Sequence, residues 1–327
     1  MKILIAGGAG YIGSVLAPAL AELGHEVTVV DLMWFGNHLP PTVVSIQKEL
    51  FDLEQDDIKG YDQVIFLAGL SNDPMAEYSP RDNFIYNAAL PAYLAYLAKK
   101  TGVKRFIYAG SCSVYGYTHD KVFTEEDPTV SNYPYGISKL QGESAAMQMM
   151  DSDYSVICLR QGTLSGYSPR MRLDLAVNTM FKTALQKKEI ILNNPAIRRP
   201  ILCIHDMVDA YSKAVACPHE ISGIFNVASQ NYTVGEIGEL VHSMVEKEFG
   251  EKIVLTKKNI PDYRNYIVST DKAKKILGFN PKQGVEDVVK NLIANLNKFS
   301  DFSNPNFYNI EVFKKIKSDN LFIRQQK

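Results

Sequence analysis

Three side chains in this sequence can move a proton on and off a hydroxyl. Tyr135 and Lys139 lie four positions apart in Tyr135-Gly136-Ile137-Ser138-Lys139, a spacing that puts both on one face of a helix. A phenol titrates near ~10 when unperturbed. A neighbouring ammonium favours the phenolate and draws it toward the range of a working base. Ser111, in Ala109-Gly110-Ser111-Cys112-Ser113-Val114-Tyr115-Gly116, ends an apolar run and can hydrogen-bond the reacting oxygen. A Tyr-x-x-x-Lys pair by itself is most often helix surface. It gains meaning from the opening of the chain, where Lys2-Ile3-Leu4-Ile5-Ala6 runs through Gly7, Gly10 and Gly13 into a helical pattern.

A strand, a turn with three glycines and a helix start form a dinucleotide site. One glycine supplies backbone angles that a Cβ would strain. Another lets a pyrophosphate approach the main chain, and the third lets helix and strand pack closely. The free N–H groups of the helix start, around Tyr11 and Ile12, then face the phosphates. Asp31 ends the second apolar run, 18 positions after Gly13, where an acceptor for a ribose hydroxyl belongs. Its carboxylate repels a 2′-phosphate, and no Arg or Lys follows within ten residues. NAD is therefore expected over NADP. Asp52 and Leu53, after the third run, are candidates for the adenine edge. The whole set implies hydride chemistry on an alcohol carbon.

The elements that must position these groups follow from the apolar pattern. Strands are expected at residues 3–6, 27–30, 43–46, 64–68, 105–109 and 155–159. Several are apolar on both faces, as strands buried in a parallel sheet must be. Helices are expected at 12–23, 83–101 and 134–150, with Pro18 a local flaw in the first. The alternation gives right-handed βαβ units and a doubly wound, Rossmann-type parallel sheet, with its ligand crevice at the carboxyl ends of the strands. Beyond residue 160 the pattern loosens. Helices are expected at 175–187, 234–249, 272–277 and 285–299, and strands at 201–204, 224–227 and 253–256. This half reads as a smaller α/β lobe. The expected division is 1–165 with about 200–228 for the cofactor, and about 166–199 with 229–327 for the substrate. The polar tail after Ser300 can pack on the lobe or on a second subunit, or stay partly disordered.

Composition narrows the class. The chain has 327 residues, 46% hydrophobic and 22% charged, with a formal net charge of −1. No basic excess draws it to nucleic acid or anionic lipid. No apolar stretch approaches the ~18 residues of a membrane span. The four cysteines form no C-x-x-C pair and sit with no His cluster, which predicts reduced thiols in a cytoplasmic protein and no metal site.

The motifs together resemble the extended short-chain dehydrogenase/reductase family, specifically its NAD-dependent nucleotide-sugar epimerases and dehydratases. The likeness runs to about residue 282. It rests on residues 7–13, Asp31, Leu67-Ala68-Gly69, Asn87, residues 111–116, Tyr135 with Lys139, Arg160, residues 199–206, Tyr263-Arg264 and Leu277-Gly278-Phe279. It implies Tyr135 as acid/base, Lys139 as its electrostatic partner and ribose ligand, and Ser111 as positioner of the hydroxyl. Leu67, Ala68, Gly69 and Asn87 would line the cofactor. Two departures matter. Members that eliminate water carry an Asp-Glu pair where Cys112-Ser113 stand here, which argues against 4,6-dehydration. A segment commonly read Arg-Asp-Phe-Ile-His-Val-Asp-Asp appears as Arg199-Pro200-Ile201-Leu202-Cys203-Ile204-His205-Asp206.

For a nucleotide-diphosphate sugar, Arg170, Arg172, Asn178, Arg199 and Arg264 are candidate grips, with Ser111 and Ser113 facing the sugar. Guanidinium groups match phosphate oxygens, and the resemblance favours Arg199 and Arg264. Arg172 with Asp174 reads equally well as ordinary surface charge. The expected activity is a 4-epimerase working through a transient 4-keto sugar. Its rivals are a 4-dehydrogenase or 4-keto reductase with net redox, and a non-catalytic NAD sensor. A homodimer is implied by the resemblance, through helices 83–101 and 134–150, where Tyr93, Leu94, Tyr96, Leu97, Met147 and Met150 supply apolar surface.

Overall fold

The computed structural model describes residues 1–118, 121–260 and 264–319. Seven parallel strands form the main sheet: β1 (Lys2–Ala6), β2 (Glu26–Asp31), β3 (Val44–Gln47), β4 (Gln63–Phe66), β5 (Arg105–Ser111), β6 (Ser155–Gln161) and β7 (Gly223–Val227). Their order is β7-β6-β5-β4-β1-β2-β3. The chain steps outward from β1 to β3 and then restarts on the other side at β4. That reversal opens a crevice beside β1 at the carboxyl edge. All six strands expected in the first half are present, and the doubly wound reading holds.

Alternation within each strand fills two cores. Ile3 and Ile5 of β1, Val27 and Val29 of β2, and Ile107 of β5 face the helices Gly13–Glu22 and Ile204–Ala216. Leu4, Val30, Phe66, Phe106 and Tyr108 face the opposite side, against Leu90–Lys100 and Pro134–Gln148. Register then sets the edge that carries the site. Ala6 is level with Val30 and with Phe66. Gly7, Asp31 and Leu67 therefore leave the sheet side by side. Phe66 pairs with Tyr108, so β5 runs on through Ala109, Gly110 and Ser111. At ~3.3 Å per residue, that overhang carries Ser111 about 10 Å beyond the end of β4.

The expected helix over 83–101 is interrupted. Pro80–Phe84 is α-helical, Ile85–Ala89 forms a π turn, and Leu90–Lys100 resumes the α-helix. Pro91 has no N–H to give the carbonyl of Asn87, and that oxygen accepts the Tyr108 hydroxyl at 3.3 Å instead. Residues 201–204 were expected as one strand. In fact Arg198–Cys203 is extended, and it pairs with Thr163–Ser165 and Gln230–Thr233 in a separate three-stranded sheet. Ile204 instead begins a helix reaching Ala216, which the sequence reading missed. A third cluster, around Phe181, Ile237, Val241, Val289 and Leu292, joins the helices Ala176–Lys187, Val234–Phe249 and Val285–Ala294.

The tail packs back on the body of the protein. Its helix Asn309–Ser318 lays Phe313, fully buried, against Leu70 and Met75 beside Trp34. Lys317 pairs with the buried Asp82. Among the described residues no helix is long and apolar enough to cross a membrane, and no group of three or more His, Cys, Asp or Glu side chains is placed to hold a metal. The four cysteines are free thiols, three of them buried. Of the six apolar residues expected at a subunit seam, Leu94 and Leu97 are buried, and Tyr96 and Met150 are well exposed.

Candidate active site

A cleft of about 840 Å³ runs along the carboxyl edge of the sheet. Gly7, Gly10, Tyr11 and Ile12 line one end together with Asp31. The turn is tight. Gly7 has φ +80°, and a Cβ there would lie 2.5 Å from the backbone of Ala68; one on Gly13 would lie 2.2 Å from the Gly8 carbonyl. Gly13 thus serves packing and does not itself face the cleft. No side chain caps the helix that begins at Gly13, and its first turn holds no acidic residue. The amides of Ser14, Val15 and Leu16 are taken by the Gly10 and Ile12 carbonyls, so an anion would meet the amides just ahead of them, around Tyr11 and Ile12.

Asp31 is anchored by two amides, Ala9 to Oδ2 at 3.0 Å and Met33 to Oδ1 at 2.7 Å. Burial raises its carboxyl above the usual carboxylate range despite these bonds. Asp52 and Leu53 do not line the cleft. Glu49 accepts the Leu50 amide at 2.8 Å and starts a 3-10 turn, Leu50–Asp52. The turn swings Asp52 into solvent and buries Leu53 in the core. Glu49 and Leu50 face the cleft instead, beside Trp34 and Tyr86.

Leu67, Ala68 and Gly69 form the next part of the wall. Asn87 also touches it, but its amide is spent on the protein. Leu70 N donates to its Oδ1 at 2.9 Å, and its Nδ2 donates to the Leu70 carbonyl and to Asn83 Oδ1. Asn87 holds the loop after β4 in shape.

Ser111, Ser113, Tyr135 and Lys139 meet at the other end. Pro134 opens their helix, where its fixed φ and missing N–H cost nothing. Asn83 Nδ2 donates to the Pro134 carbonyl at 2.9 Å, and the Tyr108 hydroxyl to the Lys139 carbonyl at 3.1 Å. Gly142 lets the helix approach so closely that a Cβ would lie 2.3 Å from the Asn87 carbonyl. Tyr135 and Lys139 are therefore held by packing on both sides.

Burial pushes the Tyr135 phenol up to about 12, while the Ser111 hydroxyl beside it favours the phenolate. Burial pulls the Lys139 ammonium down to about 8; its Nζ lies 4.6 Å from the centre of the Tyr108 ring. The sequence led us to expect the ammonium to bring the phenol down. In the protein by itself burial dominates, and what opposes it is the Ser111 hydroxyl and then the Arg172 charge, not Lys139. Ser111 Oγ lies 2.8 Å from Ser113 Oγ. Cys112 points away and its thiol donates to the Arg160 carbonyl. Arg160 in turn is locked to Glu143 through two hydrogen bonds (2.6 and 2.9 Å) in the core.

The arginines separate. Arg172 is buried and bonded twice to Asp174 (2.9 and 3.0 Å), so the pair is no surface feature. Arg264 meets Asp73 at 2.9 Å, and Arg199 lies over Tyr266; both line the cleft. Arg170 is not with them. It sits against Phe35, within reach of the Asp31 carboxylate. Asn178 does not face the cleft; its amide is satisfied by Gly166 N, Gly166 O and Arg172 O, and it shapes the loop that carries the arginines. Tyr263 lies outside the described residues.

Residues 3–228 match the model of the NAD dependent epimerase/dehydratase family. The chain belongs to that family. It is accordingly an NAD-dependent enzyme, and the cleft's glycine turn and Asp31 fit that cofactor. Among curated relatives, an uncharacterised UDP-glucose epimerase of Bacillus subtilis is 28% identical over 321 residues, covering 90% of this chain and 98% of its own. A UDP-glucose 4-epimerase of Corynebacterium glutamicum is 24% identical over 305 residues, covering 86% and 91%. Among solved structures, MoeE5 in complex with UDP-glucuronic acid and NAD superposes with a TM-score of 0.80 at 25% identity, covering 91% of this chain and 99% of that one.

Proposed function

We propose that this enzyme is a nucleotide-sugar 4-epimerase working through a transient 4-keto sugar. The observation that carries this reading is the convergence of Ser111, Tyr135 and Lys139 on the cleft that also holds Gly7 and Asp31. An oxidised nicotinamide bound there would supply the acceptor for the hydride of the sugar carbon and then its donor. Tyr135 takes the proton of the 4-hydroxyl as that hydride leaves, and gives it back when the hydride returns to the other face. Ser111 holds the C4 oxygen through both half-reactions. Lys139, and the positive charge of the cofactor ring, offset the burial that otherwise keeps the phenol protonated. Elimination of water would need a second acid–base pair, and a buried Cys112 with a hydroxyl at Ser113 cannot supply it.

Relatives named for UDP-sugars make UDP-hexoses the first candidates. Arg199 and Arg264 are proposed to grip the diphosphate, Arg264 exchanging Asp73 for it. We assign the cofactor side to residues 1–165 with about 200–228 and the substrate side to the remainder, and we propose a homodimer through the faces that carry Tyr96 and Met150. Incubation with UDP-glucose or UDP-galactose should give C4 inversion with no net change in NADH absorbance. Steady accumulation of NADH without inversion would replace this reading by net redox.

A further inference from the structure

Arg170 is 2% exposed, and among the described residues its Nε and Nη1 have no hydrogen-bond partner. Its Nη2 donates to Asn309 Oδ1 at 2.5 Å, and Asn309 Nδ2 donates to Ser71 Oγ at 2.6 Å. Phe35 covers the guanidinium, its ring centre 3.5 Å away. Arg170, Asn309, Ser71 and Phe35 all line the cleft. A buried charge with two idle donors is costly unless something completes it. Burial, and then Arg172, pull this guanidinium below the usual arginine range, the mark of incomplete compensation.

The missing partner is an anion, and its place is set by the neighbours. Asp31 and Tyr11 are the groups of the glycine-turn side that act on Arg170. No Lys or Arg occurs between Lys2 and Lys48, so the turn and its first two strands offer a diphosphate only neutral N–H groups. We propose that Arg170, held by Asn309 of the tail helix, is a second anchor for the dinucleotide, its free nitrogens taking phosphate oxygen on the adenosine side. Asn309 reaches the cleft because Phe313 seats the tail against Leu70, Met75 and Trp34. The cofactor then leaves only when the tail lifts. Retention of this kind suits a reaction that must give its hydride back, although the proposal rests on the NAD cleft and not on the sugar turned over.

The single tryptophan, Trp34, lies in the cleft wall, so NAD binding to the full chain can be followed by its fluorescence. Arg170→Met should weaken NAD roughly ten- to hundredfold, the scale of a hydrogen bond to a charged group, and speed its loss on desalting. KM for the UDP-sugar at saturating NAD should stay unchanged. The cofactor-free variant should melt no lower than wild type, because an uncompensated buried charge has been removed, yet gain less from added NAD. Asn309→Ala should act in the same direction by roughly threefold, and it decides alone should Arg170→Met fail to fold. Unchanged NAD affinity in both variants would overturn the proposal. So would a loss confined to KM for the sugar nucleotide, which would give Arg170 to the substrate. Failure of the epimerase reading would appear separately, as absence of C4 inversion by a protein whose NAD binding still depends on Arg170.

Discussion

At the reactive end of the cleft, Ser111, Tyr135 and Lys139 come from one strand and one helix that are consecutive along the main sheet's wiring and pinned to it by Tyr108, Asn83 and Gly142. At the glycine-turn end, Asp31 and Trp34 share the cleft wall with Arg170 and Asn309, which come from far along the chain. The first end is rigid because it is part of the core. The second is assembled from segments far apart in sequence, one of them terminal, and terminal segments are where local opening is cheapest. Chemistry that moves a proton by a fraction of an ångström belongs on the rigid end. Entry and exit of a dinucleotide belong on the end that can open.

The two ends should therefore fail separately. Tyr135→Phe leaves packing intact and removes the only proton the phenol can exchange. We expect kcat to fall roughly 10³-fold, within the usual range for a lost acid/base, while Trp34 fluorescence reports NAD binding unchanged. Activity within tenfold of wild type would show that another group moves the proton.

Phe313→Ala tests the opposite end. Truncating a fully buried Phe costs about 3–5 kcal/mol, which on a terminal helix should appear as undocking of the tail. Amide exchange over residues 309–318 should rise by roughly 10² or more, with faster NAD release and a normal kcat at saturating cofactor. Loss of cooperative unfolding of the whole chain instead would mean that the tail is part of the main core.

A third change sharpens cofactor choice. Asp31 repels a 2′-phosphate, but Arg170 lies near enough to favour one, a cation that no reading of the ten residues after Asp31 could reveal. Asp31→Ser should move the NAD-to-NADP preference by roughly thirtyfold toward NADP, about 2 kcal/mol. Equal losses for both cofactors would show that Arg170 does not act at that ribose.

These differences also explain what was legible. Gly7, Gly10, Asp31, Tyr135 and Lys139 could be placed because each depends on spacing within one strand or helix. Asp52 and Leu53 were misplaced by three residues because several acidic residues follow β3, and the turn made by Glu49's own carboxylate decides which faces the cleft. Asn178 was picked for its amide, but sequence does not say where an amide points. The helix Ile204–Ala216 was hidden behind the apolar run that precedes it, although Ile204, Met207, Tyr211 and Ala214 carry its period. Arg172 with Asp174 looked like surface because pairing, not type, determines whether charge can be buried. Arg170 and Asn309 meet across 139 positions, and no local pattern encodes such a contact. Val312, Phe313 and Ile316 did signal that the tail has an apolar face to bury.

The smallest expected effect is the most specific. Ser111 favours the Tyr135 phenolate, but burial outweighs it and leaves the phenol at about 12. Removing the hydroxyl in Ser111→Ala leaves burial less opposed, so the phenol's pKa rises further. Turnover that needs the phenolate climbs with pH until that pKa is passed, so the rising limb of kcat against pH must move to higher pH. Below the limb, turnover falls in proportion to the lost phenolate, and a loss of roughly tenfold at neutral pH is expected from one hydrogen bond to a charged oxygen. A uniform loss at every pH with the rising limb in place would show that Ser111 only orients the sugar.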